Sequence, residues 1–353
     1  MFISADKTEA PLLPPEGATF GLSDWSVLSK FWHPLVFSSE VCETPVSARL
    51  LDVDLVVYRT ASGISVALDQ CPHRGTRLSH GEMRAGELVC PMHGLRFDGQ
   101  GSCTGIPSHP GDEISISPQL RLTTFLVEER YGIVWTNLSG DSLWPLPEWE
   151  GIKDDRLKNV YIPSDTWNAS APRHVENFND IAHFPWVHSQ TFGAENVEPV
   201  PIYNVDETEY GLSFEIPYLE GGNRFPDDVE SEDRQVTYRY ELTFPFSTLL
   251  IISPDDSDYV QYFADTVCPV SAYETKIFQV VTDTTGSPDE DFLIPESLAI
   301  NNEDKTLVEG QRPRSLPLNL QLEGHIPADR MSNKYRRALS ERFKLGCHLQ
   351  GSL

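Results

Sequence analysis

Two short segments carry ligand-type side chains at close spacing: Cys71-Pro72-His73 and Cys90-Pro91-Met92-His93, sixteen residues apart. Two thiolates and two imidazoles can hold one zinc ion, or a two-iron, two-sulfur cluster with the cysteines on one iron and the histidines on the other. Zinc sites usually pair Cys with Cys and His with His, and C-x-H followed by C-x2-H fits that pattern poorly. The spacing favours the cluster, a one-electron carrier whose imidazole ligands raise its potential above that of an all-cysteine centre. Gly75 and Gly94 follow the two histidines and let each loop turn tightly, and Pro72 and Pro91 stiffen them.

A second constellation lies in residues 176–188, where Asn177, Asp180, His183 and His188 fall close together. On one helix, Asn177, Asp180 and His183 share a face at a spacing of three. His188 points away from His183 in an unbroken helix. Pro185 lacks an N–H and clashes with the preceding turn, so a break or bulge is expected there, letting both histidines share one metal. Two histidines and one carboxylate leave a face of an iron open to oxygen and substrate. Asp304, at an expected helix start in 301–311, is the favoured carboxylate. Glu303 and the run Asp289-Glu290-Asp291 compete with it, and spacing does not separate them. Alone, His183 and His188 would read as satisfied core residues, but the cysteine-histidine loops in the same chain turn the reading towards metal.

These groups need a frame. Residues 31–37, 46–58, 64–68, 122–128 and 131–137 are β-rich runs divided by turns, an all-β module that holds the cluster on two loops. Proline-punctuated residues 143–147 read as its exit. Residues 200–281 are again strand-like, notably 235–244, 259–264 and 275–281, and suggest a broad antiparallel sheet. Helices are expected over 173–184, 298–311 and 328–344. In the last, Met331, Tyr335, Leu339 and Phe343 form a core-facing stripe. Residues 220–234, rich in Gly, Pro, Asp and Glu, read as a mobile loop. The fold class is therefore α+β, with an arm at 1–29, an all-β domain at 30–145 and a second domain at 146–353 that has a helix-grip-like sheet.

A chain of 353 residues suits two domains. No run approaches the roughly 20 apolar residues of a membrane span. Residues 1–21 lack the apolar core of a signal peptide and read as a loose arm, so a cytoplasmic location is expected. Cys42, Cys103, Cys268 and Cys347 are scattered without pairing logic, as in a reducing compartment, and Cys103 reads as a packed thiol. A formal charge of -26 argues against nucleic acid as a partner. Arg74, Arg77, Arg84 and Arg96 nevertheless crowd the cluster loops. They either pair with Glu82, Glu87 and Asp98 or form a docking patch for an acidic electron donor.

Together, C-x-H, C-x2-H, D-x2-H-x4-H and a distant aspartate resemble the terminal oxygenase (alpha) component of the Rieske non-haem iron oxygenases over nearly the whole chain. The single-component-type monooxygenase branch is the nearest, similar to dicamba and vanillate O-demethylases, caffeine N-demethylases and saxitoxin-pathway hydroxylases. Residues 303–313 and 328–336 carry the likeness to the last two. Met92 and Leu95 depart from it, standing where an aromatic and a tryptophan are common. The resemblance implies a [2Fe-2S] cluster on Cys71, His73, Cys90 and His93, and Fe2+ on His183, His188 and Asp304. It makes Asp180, with Asn177 beside it, an electron bridge to His93 of the adjacent subunit in a head-to-tail homotrimer. It also implies a partner reductase of flavin and iron-sulfur type, or a ferredoxin, supplied by NAD(P)H. With O2, a small cyclic or aromatic substrate would be hydroxylated or N/O-demethylated. Phe178, Phe184 and Val187 are the candidate pocket residues. The alternative, a Rieske electron carrier or accessory protein without catalytic iron, needs only the first domain and leaves the second constellation without a use.

Overall fold

The computed structural model describes residues 12–110, 115–193, 199–221 and 233–346. They form two compact units. One runs to Glu129 and takes in Val134–Leu143, and the other takes Arg130–Ile133 and the chain from Trp144 onward.

The first unit contains α1 (Leu22–Leu28), β1 (His33–Phe37), β2 (Val46–Leu50), β3 (Val53–Thr60), β4 (Gly63–Leu68), β5 (Glu82–Arg84), β6 (Glu87–Val89), β7 (Arg96–Phe97), β8 (Cys103–Gly105), β9 (Leu126–Arg130) and β10 (Ile133–Asn137). They build three small sheets, ordered β1-β10-β9, β2-β3-β4 and β5-β6-β7-β8. The run expected over 46–58 is a hairpin, because Leu51 and Asp52 take left-handed φ values of 50° and 67° and turn the chain back. That turn anchors what the sequence suggests is a loose arm. Asp52 Oδ2 accepts from Thr19 N at 2.8 Å and from Thr19 Oγ1 at 2.9 Å, and buried Trp25 donates from Nε1 to Leu51 O at 2.8 Å. Residues 1–11 lie outside the described residues. Residues 122–125, expected as strand, instead serve as a seam: Leu122 N donates to Gly101 O and Phe125 N to Val66 O.

The second unit contains β11 (Val160–Trp167), α2 (Ala171–Phe178), α3 (Phe184–Val187), β12 (Asp206–Glu207), β13 (Gly211–Glu220), β14 (Arg234–Thr243), β15 (Ser247–Pro254), β16 (Gln261–Ser271), β17 (Glu274–Asp283), α4 (Glu290–Gly310) and α5 (Arg330–Arg337). Its seven strands form one antiparallel sheet, β11-β17-β16-β15-β14-β13-β12. Alternation sets its inner face: Val236, Tyr238, Tyr240 and Leu242 of β14 are buried while their neighbours are partly exposed. The proposed mobile loop spans the β13-β14 connection, and its residues 222–232 lie outside the described residues.

α4 begins eight residues before the helix expected at 298–311. Asp289 caps it, accepting from Asp291 N at 3.0 Å and Phe292 N at 3.3 Å, and the helix runs through Pro295 in its second turn. α4 lies against β11 and α2. α2 is held by a buried ion network. Arg336 grips Glu176 through two bonds of 2.6 and 2.7 Å, and Arg173 and Arg336 both reach Glu323, at 2.6 and 2.7 Å. The stripe Met331, Tyr335, Leu339 and Phe343 is buried as expected. A strict spacing of four drifts around an ordinary helix, and the π-helical turn Ala338–Arg342 after α5 takes up part of that drift.

Candidate metal centres

The two cysteine-histidine loops are built alike. Cys71 N donates to Thr76 O at 2.8 Å and Gly75 N to Cys71 O at 2.8 Å. In the second loop Cys90 N donates to Leu95 O at 2.9 Å and Gly94 N to Cys90 O at 2.9 Å. Each is a closed knuckle with the glycine at left-handed φ, +73° at Gly75 and +70° at Gly94. Beneath them Cys71 and Cys90 are buried among Val56, Tyr58, Leu78, Leu88, Leu95 and Phe97, so Leu95 fills core space. Burial pushes the Cys71 thiol up to about 11, against the His73 backbone N–H, with Cys90 adding to the rise and the Arg74 backbone N–H opposing it. Two thiols in an apolar floor, with backbone donors aimed at the Cys71 sulfur, suit thiolates neutralised by iron. The His73 and His93 ring centroids stand 4.6 Å apart, and buried His73 Nδ1 has no hydrogen-bond partner, which fits a second iron on that side. His93 is exposed, as is Met92.

Cys103 is partly buried against the same apolar set, and burial raises its thiol pKa. Three of the four arginines around the loops are paired: Arg77 with Asp54 at 2.5 Å, Arg84 with Glu82 at 2.6 Å and Arg96 with Glu87 at 3.5 Å. Asp98 is not among the partners, because it accepts from Gln100 N and Ser102 N and closes its own turn. Arg74 makes no ion pair among the described residues.

The second constellation departs from one expected helix. α2 ends at Phe178, where Asn179 turns its Nδ2 back to Val175 O at 2.8 Å and to Thr248 Oγ1 of β15 at 3.0 Å. Asp180 Oδ1 then accepts from Ala182 N at 3.1 Å, and α3 starts after His183. Pro185 therefore sits in the first turn of a new helix, where its missing N–H costs nothing. The break falls before the proline, and Asn179, which spacing did not single out, makes it.

The break brings His183 Nε2 and His188 Nε2 to 3.2 Å, and each lies 3.4 Å from Asp304 Oδ1 on α4. Ligand atoms of the three residues all lie within 4.8 Å of one another. Both histidines have the other nitrogen committed. His183 Nδ1 donates to Asp180 Oδ2 at 2.9 Å, and His188 Nδ1 donates to Glu303 Oε2 at 2.8 Å. Carboxylates only accept, so both Nε2 atoms turn lone pairs towards the same point, and Asp304 Oδ1 is buried there without a partner. A divalent cation is what such a convergence accommodates. Burial works to lower the His183 pKa, but the carboxylates of Asp180 and Asp304 outweigh it and raise it to about 9, so a cation bound at this point displaces the Nε2 proton and takes up the lone pair. Burial likewise opposes ionisation of Asp304, yet His183 and His188 hold it far below the usual carboxylate range. Glu303 thus braces His188, also accepting from Thr191 Oγ1 at 2.9 Å, and Asp289-Glu290-Asp291 is spent at the start of α4.

A cavity with about 590 Å³ of empty space, part of it open to solvent, adjoins the triad. Phe178, Phe184, Phe192, Tyr238, Tyr240 and Phe263 give it aromatic walls, and Asn177, His174, Gln279 and Asn301 add polar groups. Phe178 and Phe184 line it as the sequence suggests, and Asn177, read from the sequence as a companion of Asp180 at the electron bridge, lines it as well. Val187 is not among the lining residues, because one position before His188 it is rotated by roughly 100° on the same turn. Tyr238, Tyr240, Phe263, His174, Gln279 and Asn301 were not singled out by the sequence. The alternation of β14 carried a signal for the tyrosines only.

Residues 31–125 match the Rieske [2Fe-2S] domain family, and residues 167–344 match the vanillate O-demethylase oxygenase C-terminal domain family. The chain is 30% identical over 339 residues to methylxanthine N1-demethylase NdmA of Pseudomonas putida, covering 92% of this chain and 91% of that protein. It is 36% identical over 168 residues to the oxygenase component of dicamba O-demethylase of Stenotrophomonas maltophilia, covering 44% and 46% of the two chains. Among solved structures it resembles Pseudomonas putida CBB5 NdmA with caffeine, at a TM-score of 0.79 and 28% identity over 93% of this chain and 94% of that one.

Proposed function

The chain belongs to the Rieske non-haem iron oxygenases, and from that premise we propose that it removes a methyl group from nitrogen or oxygen on a planar ring substrate. It is a monooxygenase that carries a [2Fe-2S] cluster and a mononuclear Fe2+, and it works with a reductase or ferredoxin, O2 and a small-molecule substrate. In our reading Cys71, His73, Cys90 and His93 hold the cluster, and His183, His188 and Asp304 hold the iron. The observation that carries the second assignment is the facing pair of Nε2 atoms, 3.2 Å apart, with each Nδ1 already given to a carboxylate.

When bound, ferrous iron with two electrons from the cluster side supplies insertion of one atom of O2 into a C–H bond, the other leaving as water. At a methyl on nitrogen or oxygen, the hydroxymethyl product breaks its bond to the heteroatom and releases formaldehyde. Asp180 and Glu303 hold the two Nδ1 protons and so keep both Nε2 lone pairs aimed inward. The aromatic walls stack a flat ring and exclude water. Demethylation is favoured over ring hydroxylation by the relatives' activities, at N1 of methylxanthines in one and on an oxygen of dicamba in the other.

Electrons pass between subunits in this reading. Asp180 keeps 29% of its side-chain exposure and His93 is exposed, so each is open to the other in a head-to-tail trimer, a heterologous contact that closes as a ring. Residues 30–145 act as the carrier and 146–353 as the catalyst. Arg74 is a cation for an acidic donor face of a flavin and iron-sulfur reductase. No helix among the described residues is long and apolar enough to cross a membrane, which suits work in the cytoplasm beside that reductase.

The test is turnover of the metal-loaded protein with a reductase and NADH on a panel of N-methyl and O-methyl ring compounds. Formaldehyde released in step with oxygen uptake is the expected result. Hydroxylated product without formaldehyde would replace demethylation by hydroxylation, and no oxygen-dependent product would overturn the proposal.

A further inference from the structure

One wall of the cavity carries polar side chains that hold no metal. Ser297, Ile300, Asn301 and Asp304 recur along α4 at i, i+3, i+4 and i+7, one stripe, and all four line the cavity. Asn301 is buried and sits one helical turn, roughly 5 Å, from the ligand carboxylate.

Its amide is oriented by a chain of hydrogen bonds that starts at a charge. Asp265 of β16 and Gln279 of β17 are direct cross-strand partners. A carboxylate only accepts, so His174 Nε2 and Gln279 Nε2, each 3.0 Å away, both donate to Asp265. That fixes the Gln279 amide, whose Oε1 accepts from Asn301 Nδ2 at 2.8 Å while its Nε2 also donates to Asn301 Oδ1 at 3.2 Å. The two amides form a reciprocal pair with two edges. One edge is spent on Asp265. The other retains the second N–H of Asn301 Nδ2 beside the second lone pair of Gln279 Oε1, a donor and an acceptor 2.8 Å apart.

The geometry points to this edge as the recognition element for a planar lactam or imide, whose ring carbonyl accepts from Asn301 and whose adjacent N–H donates to Gln279. Asn301 and Gln279 touch the substrate, whereas Asp265 and His174 are positioning residues that set which edge donates. The inference deepens the proposed demethylation and rests on the triad being the iron site, one turn away along α4. The substrate is thereby a flat heterocycle with an unsubstituted amide-type N–H on the edge away from the methyl to be removed. A fully N-methylated analogue leaves the Gln279 oxygen unpaired and binds less well.

The probes are theobromine, which keeps an imide N–H between two carbonyls, and caffeine, in which that nitrogen is methylated. Calorimetric titration of the metal-loaded protein is expected to give a preference for theobromine of about tenfold or more. Asn301→Leu, close to isosteric, abolishes that preference. Asp265→Asn lets both amides turn over and also brings the ratio towards one, with iron content and cluster spectrum unchanged, which a purely structural role would not do. Equal binding of the two probes, binding of neither, or a preference that survives Asn301→Leu overturns the inference, and Asn301→Leu suffices where Asp265→Asn does not fold. Iron counted on the same samples separates the two readings. A preference without triad iron sinks the metal assignment alone, and triad iron without a preference sinks this recognition alone.

Discussion

The cysteine-histidine loops are closed within themselves, each Cys tied by its own backbone to residues four and five places on, and both lie within 71–95. The triad is gathered instead from the α2-α3 break and from α4, with residue numbers 183, 188 and 304, and it is held in register by side chains: Asn179 on Thr248, Asp180 on His183 and Glu303 on His188. A centre built from two short loops depends on local backbone conformation. One assembled across the fold depends on partly buried carboxylates and on tertiary packing.

The sharpest way to break this comparison is to remove a charge without removing a ligand. Asp180→Asn still accepts from His183, so both metals should remain while turnover falls by about 100-fold, measured as oxygen uptake beside cluster and iron content. Unchanged turnover would end the role of Asp180 as a bridge.

pH separates the units next. Burial lowers the His33 pKa to about 4, against a bond to Leu28 O. The unfolded chain takes up its proton near 6.5 and the folded chain only near 4, so this contribution is whole above 6.5 and is lost as pH falls towards 4. Between pH 7 and pH 5 the first unit should lose about 2 kcal/mol of stability in urea titrations, a loss that His33→Gln cancels. Equal pH dependence in that variant would contradict the assignment to His33.

Glu303→Gln acts on the assembled centre alone. Iron affinity should weaken about tenfold in competition with a chelator, and the cluster absorption should stay as it is. Gly94→Ala acts on the local centre alone. Its φ of +70° and a Cβ placed 3.0 Å from Pro107 Cγ should cost about 1 kcal/mol and reduce cluster retention, with triad iron kept. Loss of iron in the second case, or of cluster in the first, would mean that the two centres are not independent.

The same contrast explains what could be read from the chain. The Cys-His spacings, the left-handed glycines and the alternation of β14 are local, and they were legible. His183 and His188 were legible as a pair. The site of the helix break was not, because Asn179 acts through a β15 threonine 69 residues on. Asp304 could not be told from Glu303 by spacing, since the choice depends on which carboxylate α4 turns to the Nε2 atoms and which to Nδ1. The Asp265-Gln279 partnership is a matter of strand register, and nothing in either segment alone announces it. Val187 lies off the cavity because it sits roughly 100° round the turn from His188, which is the residue that turn brings to the triad.

The central claim is that two separate iron centres occupy one chain. Anaerobic iron analysis with electron paramagnetic resonance of the dithionite-reduced protein tests it most directly, comparing the wild type with a His183→Ala, His188→Ala double variant after iron reconstitution. The account predicts about three irons per chain, two in the cluster and one at the triad, falling to two in the variant with the cluster signal unchanged. Two irons in both proteins, or loss of the cluster signal together with the third iron, would contradict it.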